Sequence, residues 1–298
     1  MTSDLRLVSI GLPVRNESAR LADCVQCVLQ QSYPNIEICI SDNASSDDTY
    51  ELANQLAEKH GNIRVRRHEQ NVGPLQNFDS VRCMAKGHYF MWLAADDRID
   101  PTYVEKMVRE LDSHLAAVVA HSATLRVGSA GQTLTEVRFS DRFNPNMQGL
   151  LRQALNVLTP FKTARERKLS LYVYGLYRKA ALDDIFESVS NPLYFGDRVL
   201  PALAAASGGQ RYVDEFLFHK RVHDLSHGKR NPGDTTFTVR DQNRKISNLV
   251  LWFARCRTIP FWRRWYGLVI ALPFVFDRIQ NWLKAAGMPP LVKTKFKF

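Results

Sequence analysis

Two adjacent aspartates, Asp96 and Asp97, directly follow an apolar run that begins near residue 88. Like charges held so close disfavour joint ionisation, and a hard cation such as Mg²⁺ or Mn²⁺ relieves the repulsion. Such ions take few protein carboxylates and complete their shell with phosphate oxygens and water. The structural alternative is that Asp97 and Asp100 flank and cap a helix opening near Pro101. Asp42 also closes an apolar run, where a carboxylate can accept hydrogen bonds from a base N–H or from ribose hydroxyls, or can simply cap a turn. His223 and His227 stand four apart, but no glutamate lies between them as a zinc helix of that spacing requires. Cys24 and Cys27 form a C-x-x-C inside a helical pattern with no second pair, which points to reduced cysteines in or near the core.

These side chains must be positioned by an alternation of strands and helices. Residues 5–12 read as a buried strand, 13–16 as a turn, and 17–30 as a helix with Leu21, Cys24, Val25, Val28 and Leu29 on one face. A second strand covers 36–40. The polar loop 42–49 then supplies caps for a helix to about residue 59. A third strand spans 63–67, a third helix 74–86, and a fourth strand 88–93 runs straight into the aspartate pair. Strands alternating with helices predict an α/β fold, a mostly parallel sheet with helices on both faces. In such sheets ligands bind beyond the carboxyl ends of the strands, where the polar loops fall. The first turn, Gly11 to Asn16, lacks the glycine fingerprint of a dinucleotide site, and there is no P-loop. A bound phosphate must therefore be neutralised in another way, for which a cation at the fourth strand end is the natural candidate.

Composition narrows the class. Hydrophobic residues make up 45% and charged residues 23%, values of an ordinary globular protein and not of a disordered chain. The first residues lead directly into a short apolar run that stops at Pro13, so no secretory signal is expected. Of the 40 Lys and Arg residues, 12 lie in 240–298, beside only Asp241 and Asp277, and this stretch carries the whole +10 excess. Basicity confined to a tail, without a recognition motif, argues against nucleic acid as a partner.

Taken together, four segments resemble the family 2 glycosyltransferases of the GT-A fold. They are Val8 to Glu17, Ile40 to Thr49, Asn71-Val72-Gly73 with Asn77, and Trp92 to Asp97, in matching order over about the first 110 residues. A weaker match continues at Gly175 to Arg178, Gly196-Asp197-Arg198 and Arg221-Val222-His223. The resemblance implies a GT-A catalytic domain over 1–235, with a nucleotide-sugar-binding half at 1–112 and an acceptor half at 113–235. It implies that Pro13, Val14, Arg15, Glu17 and Asp42 hold the nucleoside. Asn71 and Gly73 would shape the adjoining loop, although Asn-x-Gly is also a plain turn signal. Asp96 and Asp97 would hold Mn²⁺ or Mg²⁺ and, through it, the diphosphate. Two positions depart from the family pattern: Arg15 replaces the usual aromatic residue, and Ala94 replaces an additional Asp found in many members. Which of Asp96 and Asp97 meets the metal directly is left open.

Glycosyl transfer requires a stabilised leaving diphosphate and a deprotonated acceptor hydroxyl. The resemblance places the catalytic carboxylate in the region of Asp197, just before a helical stretch that Asp197 could alternatively cap. A base there implies inversion at the anomeric carbon. His223, by the same resemblance, is a metal ligand, and imidazole favours Mn²⁺ over Mg²⁺. The implied donor is a nucleotide-diphosphate sugar, with UDP the first choice, and the implied acceptor is a saccharide or lipid-linked saccharide in polysaccharide synthesis. A sugar nucleotidyltransferase and a non-catalytic sugar-nucleotide-binding membrane protein are the competing readings. The tail, 236–298, combines Trp262, Trp265 and Tyr266 with basic residues and an apolar run from Leu268 to Phe276. That run is too short to span a bilayer, which needs about 20 residues. It suits a segment lying on an anionic membrane face, so the expected location is cytoplasmic and peripheral on the inner membrane face. The alternative is a tail that packs on the catalytic domain or on a second copy in a homo-oligomer.

Overall fold

The computed structural model describes residues 5–138, 173–188, 200, 203–204 and 207–222. The chain begins with β1 (Val8–Val14), α1 (Ser18–Leu29), β2 (Ile36–Asp42), α2 (Thr49–Lys59), β3 (Ile63–Arg67), α3 (Pro74–Met84) and β4 (Tyr89–Trp92). Then come β5 (Arg98–Ile99), α4 (Tyr103–Ser113), β6 (Val119–Val127), β7 (Thr133–Val137), β8 (Leu176–Arg178), α5 (Lys179–Ser188) and β9 (Gln210–Arg221). The nine strands form one sheet in the order β3-β2-β1-β4-β8-β6-β9-β5, with β7 added beside β6. Strands β1 to β4 are parallel to one another where they pair, β8 is antiparallel to both β4 and β6, and β9 is parallel to β6. β6 and β9 therefore point the same way as the first four strands, and all six end on one edge of the sheet. This is the mixed, mostly parallel α/β architecture expected from the alternation, and it draws strands from both halves of the chain.

All seven residues of β2 and all four of β4 are buried, because helices cover both faces. Val8, Ile10, Leu12, Ile38, Ile40, Tyr89 and Met91 face a core layer closed by α1, α2 and α4. Cys39, Phe90 and Trp92, their alternating neighbours, face a second layer closed by Val81 of α3 and by Leu182, Ile185 and Phe186 of α5. Gly11 is required where α3 crosses β1: a Cβ there would lie 2.7 Å from Val81 Cγ2 and 2.9 Å from the Phe90 ring. Trp92 anchors the end of β4 by packing edge-on against Phe90 and donating its indole N–H to the Phe78 carbonyl at 2.9 Å. Of the described cysteines, Cys24, Cys27 and Cys39 are buried and reduced as expected, whereas Cys83 is reduced but exposed.

Beyond shifts of two or three residues elsewhere, such as β1 opening at Val8 and β2 running on to Asp42, two features differ from the sequence expectation. β1 continues through Pro13 and Val14, where a turn was expected. Main-chain groups alternate sides along a strand: the Gly11 carbonyl serves Leu93 N beside β4, and the Val14 carbonyl serves Asn43 N beside β2. Pro13 therefore faces the β4 side, beyond the last β1–β4 pair at Gly11 and Trp92, where its missing N–H leaves no ladder bond unmade. The other difference is the two-residue β5, too short for any periodicity to announce, which pairs Arg98 and Ile99 with His219 and Phe218 of β9. Among the described residues no helix is long and apolar enough to cross a membrane.

Candidate functional site

The loops after β1, β2, β3 and β4 meet at the edge where the parallel strands end. Two of them turn through left-handed backbone at non-glycine residues, Asn16 (φ 53°) and Ala44 (φ 52°). Side chains hold this geometry. Asn16 N donates to Ser45 Oγ at 2.9 Å, and Ser46 N donates to Asn16 Oδ1 at 2.9 Å, so the first two loops lock each other. Asp47 lies below them, accepting from Ser18 N and Oγ through one oxygen and from Thr49 N and Oγ1 through the other. Burial raises its pKa, but these donors outweigh burial and hold the carboxyl below its ordinary value.

Asp42, the last residue of β2, is fully buried. Its Oδ1 accepts from the Ser45 hydroxyl, its Oδ2 accepts from Ser45 N at 3.1 Å, and Arg67 Nε stands 3.4 Å from Oδ2. Arg67 leaves the end of β3, rests over the Tyr50 ring at 4.6 Å and donates to the Ser45 carbonyl. Asn43 joins this loop to the next: its Nδ2 donates to Asn71 Oδ1 at 2.8 Å, and its Oδ1 accepts from Val72 N at 2.8 Å. Asn71 Oδ1 also accepts from the N–H of Gly73, whose φ of 82° explains the glycine. Gly73 caps α3 ahead of Pro74. Inside α3, Asn77 is buried and donates to the Val14 carbonyl at 3.3 Å. Glu17 caps α1, and its carboxylate is committed to Arg20 at 2.9 Å.

The aspartate pair divides into two environments. Asp97 N donates to the Ala94 carbonyl at 2.9 Å, closing a tight turn after β4. Asp96 is half-buried on that turn, while the Asp97 side chain is fully buried. Asp97 Oδ2 accepts from Lys220 Nζ at 2.7 Å and Oδ1 from Arg221 N at 3.1 Å, both at the end of β9. Burial pushes the Asp97 carboxyl up to about 7, and Asp96 adds to the push, while Lys220 and the Arg221 N–H draw it back. Burial also opposes the Lys220 charge, but Tyr174, Asp97 and Asp96 prevail and raise its pKa above the ordinary lysine value. Neither Asp97 nor Asp100 caps α4, whose N-cap is Thr102; Asp100 flanks the helix, accepting from Thr102 N and Oγ1, while Asp97 turns to β9.

Of the expected donor-site residues, Pro13, Val14, Arg15, Glu17, Asp42, Asn71, Gly73 and Asp96 thus all lie in or beside the loops of one sheet edge. Asp197, His223 and His227 fall outside the described residues, as does the tail 236–298. Asn43, Arg67 and Lys220 were not singled out in the sequence. Asn43 stood inside a quoted motif, whereas Arg67 and Lys220 look like ordinary polar ends of strands. Among the described residues no three His, Cys, Asp or Glu side chains converge as a metal-binding group. One half-buried carboxylate at Asp96, with phosphate and water completing the shell, still fits the donor set that Mg²⁺ or Mn²⁺ takes in a nucleotide complex.

A family model described as glycosyl transferase family 2 matches residues 9–172, more than half of the chain. The chain belongs to glycosyl transferase family 2. This family 2 chain is 29% identical over 113 residues to glycosyltransferase GlyG of Streptococcus pneumoniae, covering 38% of each protein. It is 28% identical over 130 residues to chondroitin synthase of Escherichia coli, covering 43% of this chain and 19% of that enzyme. The matches thus span well under half of those relatives' lengths. Among solved structures, S. aureus TarS 1-349 in complex with UDP-GlcNAc superposes with a TM-score of 0.65 at 16% identity, covering 91% of this chain and 73% of that one. The mannosyltransferase PcManGT from Pyrobaculum calidifontis, in complex with GDP-Man and Mn²⁺, superposes with a TM-score of 0.51 at 13% identity, covering 96% and 77%. These likenesses establish the GT-A type fold.

Proposed function

We propose that this family 2 protein is an inverting glycosyltransferase that moves a sugar from a UDP-sugar to a saccharide or lipid-linked acceptor in polysaccharide synthesis. The observation that carries the reading is the convergence of Pro13 to Glu17, Asp42, Asn71 to Gly73 and Asp96 on the edge where β1 to β4 end. Asp42 is assigned to the base or ribose; because Ser45 and Arg67 bury its carboxylate completely, these side chains must shift for it to accept from the nucleoside. Arg15 would stand beside the nucleotide, where a guanidinium can stack on a base or contact a phosphate. Asp96 and His223 would hold the metal, with Asp97 supporting Asp96. Mn²⁺ or Mg²⁺ bound there would supply Lewis-acid stabilisation of the leaving diphosphate. The UDP-GlcNAc bound to TarS supports a UDP-sugar donor, and the Mn²⁺ that PcManGT holds with GDP-Man supports a metal beside a nucleotide-diphosphate sugar.

Asp197 is assigned as general base. Its carboxylate takes the acceptor hydroxyl proton as that oxygen bonds to the anomeric carbon. The carbon–oxygen bond to the diphosphate breaks on the opposite face, and the configuration inverts. The 236–298 tail is assigned to the inner membrane face, where it would bring the site close to a lipid-linked acceptor. The test is a panel of nucleotide sugars with Mn²⁺, read as a mass increment on saccharide and lipid-linked acceptors. A hexose or N-acetylhexosamine increment with release of UDP supports the reading. Binding of nucleotide sugars without turnover on any acceptor would make the protein a binder and not a transferase.

A further inference from the structure

Lys220 is a half-buried cation at the end of a strand whose partner, Asp97, is fully buried, a costly arrangement for an ion pair. Replacing a buried ion pair with apolar groups of equal volume is often neutral or stabilising, so stability alone is a weak reason for this one. What it supplies is orientation. Residues 93–100 are tied to β9 at three levels: Asp100 N donates to the Leu217 carbonyl at 2.8 Å, β5 pairs with His219 and Phe218, and Asp97 accepts from Lys220 and Arg221 N. Lys220 is itself confined, lying 4.8 Å from the Tyr174 ring centroid with a side chain only 23% exposed. Because the Asp97 N–H also closes a turn onto Ala94, holding the Asp97 side chain fixes the peptide that carries Asp96.

We propose that Lys220 is a positioning residue: it occupies Asp97 and thereby sets the direction in which Asp96 meets the cation of a metal–nucleoside diphosphate. This rests on the metal reading above. It also gives the two aspartates unequal tasks, with Asp96 the ligand and Asp97 the strut. Val222, the residue after the end of β9, donates its N–H to the Val127 carbonyl at 2.8 Å.

The experiment titrates UDP into the full chain by calorimetry, with and without Mn²⁺, and follows free Mn²⁺ by electron paramagnetic resonance. The proteins are the wild type, Lys220→Met, Lys220→Arg, Asp97→Asn and the Lys220→Met/Asp97→Asn double variant. In Lys220→Met the Mn²⁺-dependent tightening of UDP is expected to fall about 10–100-fold, the usual scale for losing a partner that orients a ligand. UDP alone should bind as in the wild type, and Lys220→Arg should recover part of the loss. The double variant should lose no more than the larger single effect, since the two residues act as one unit. A lowered melting temperature with unchanged Mn²⁺-dependent tightening would assign Lys220 to stability and overturn the proposal, as would additive losses in the double variant. If Lys220→Met does not fold, the partial loss in Lys220→Arg and its non-additivity with Asp97→Asn decide the matter. No Mn²⁺-dependent tightening in the wild type would instead overturn the metal reading itself, so the two failures are distinguishable.

Discussion

Strand β2 carries a buried carboxylate near each end, Glu37 at its start and Asp42 at its finish, and the edges they mark are built differently. At the starting edge Glu37 accepts from the Ser9 hydroxyl, from Lys86 N at 2.6 Å and from Arg64 Nη2 at 2.8 Å. Gly87 N completes the cluster by donating to Ser9 Oγ at 2.7 Å. Burial pushes the Glu37 pKa up, but these donors outweigh it and the net shift is downward. At the finishing edge Asp97 is more deeply buried, has one ammonium and one N–H as donors, stands next to Asp96, and is pushed up to about 7. Burial opposes ionisation at both edges. The deeper burial of Asp97 first, then its fewer donors and the like charge of Asp96, decide the opposite outcomes. The starting-edge cluster reads as scaffold, whereas at the finishing edge Lys220 already offsets Asp97 and the proposed metal would meet Asp96.

The sharpest way to break this contrast is to neutralise the finishing edge. Asp96→Asn with Asp97→Asn is expected to abolish metal-supported turnover while circular dichroism stays that of the wild type. Full activity in this variant, or activity that survives exhaustive chelation, would refute the contrast. Next in size, Asp197→Asn should lower the transfer rate by about 10²–10⁴-fold, the range for a lost general base. Its nucleotide affinity should be nearly unchanged, and an equal loss of UDP binding would place Asp197 on the donor side instead.

At the starting edge the expected damage is to stability and not to chemistry. Glu37→Gln removes the charge that Arg64, Ser9 and Lys86 N converge on and should cost about 2–3 kcal/mol, the scale for hydrogen bonds to a charged group. Denaturant unfolding measures this. A fall in kcat without a fall in stability would mean that the two edges are not separate in function. The same carboxylate sets a pH dependence. Its folded pKa lies below the ordinary glutamate value of 4.5, so its stabilisation is present above about pH 4.5 and fades as pH falls through the folded value. Unfolding measured from pH 6 downward should show that loss in the wild type and a flatter acid limb in Glu37→Gln. The smallest effect is expected from removing residues 235–298. A chain truncated after Asp234 should keep its fold and stop sedimenting with anionic vesicles. Equal pelleting of both chains, or none of the intact chain at low salt, would remove the membrane from the proposal.

Much of this architecture is legible in one dimension. Local patterns carry the order of the first four strands and three helices, because apolar residues recur at the spacing of buried faces and polar loops punctuate them. The motifs at 8–17, 40–49, 71–77 and 92–97 announce the proposed donor edge for a related reason. Each loop directly follows its own strand, so a parallel sheet delivers all four to one place. The reading of Pro13 to Asn16 as a turn missed two residues of β1, since whether a proline interrupts a strand depends on which neighbour its missing N–H would have faced. Sequence alone left Asp96 and Asp97 as equals. What separates them is Lys220, 123 residues beyond Asp97. It arrives there only because β9 runs parallel to β6 and pairs antiparallel with the two-residue β5. That contact is a product of strand order across the whole sheet, and no local period in the chain encodes it.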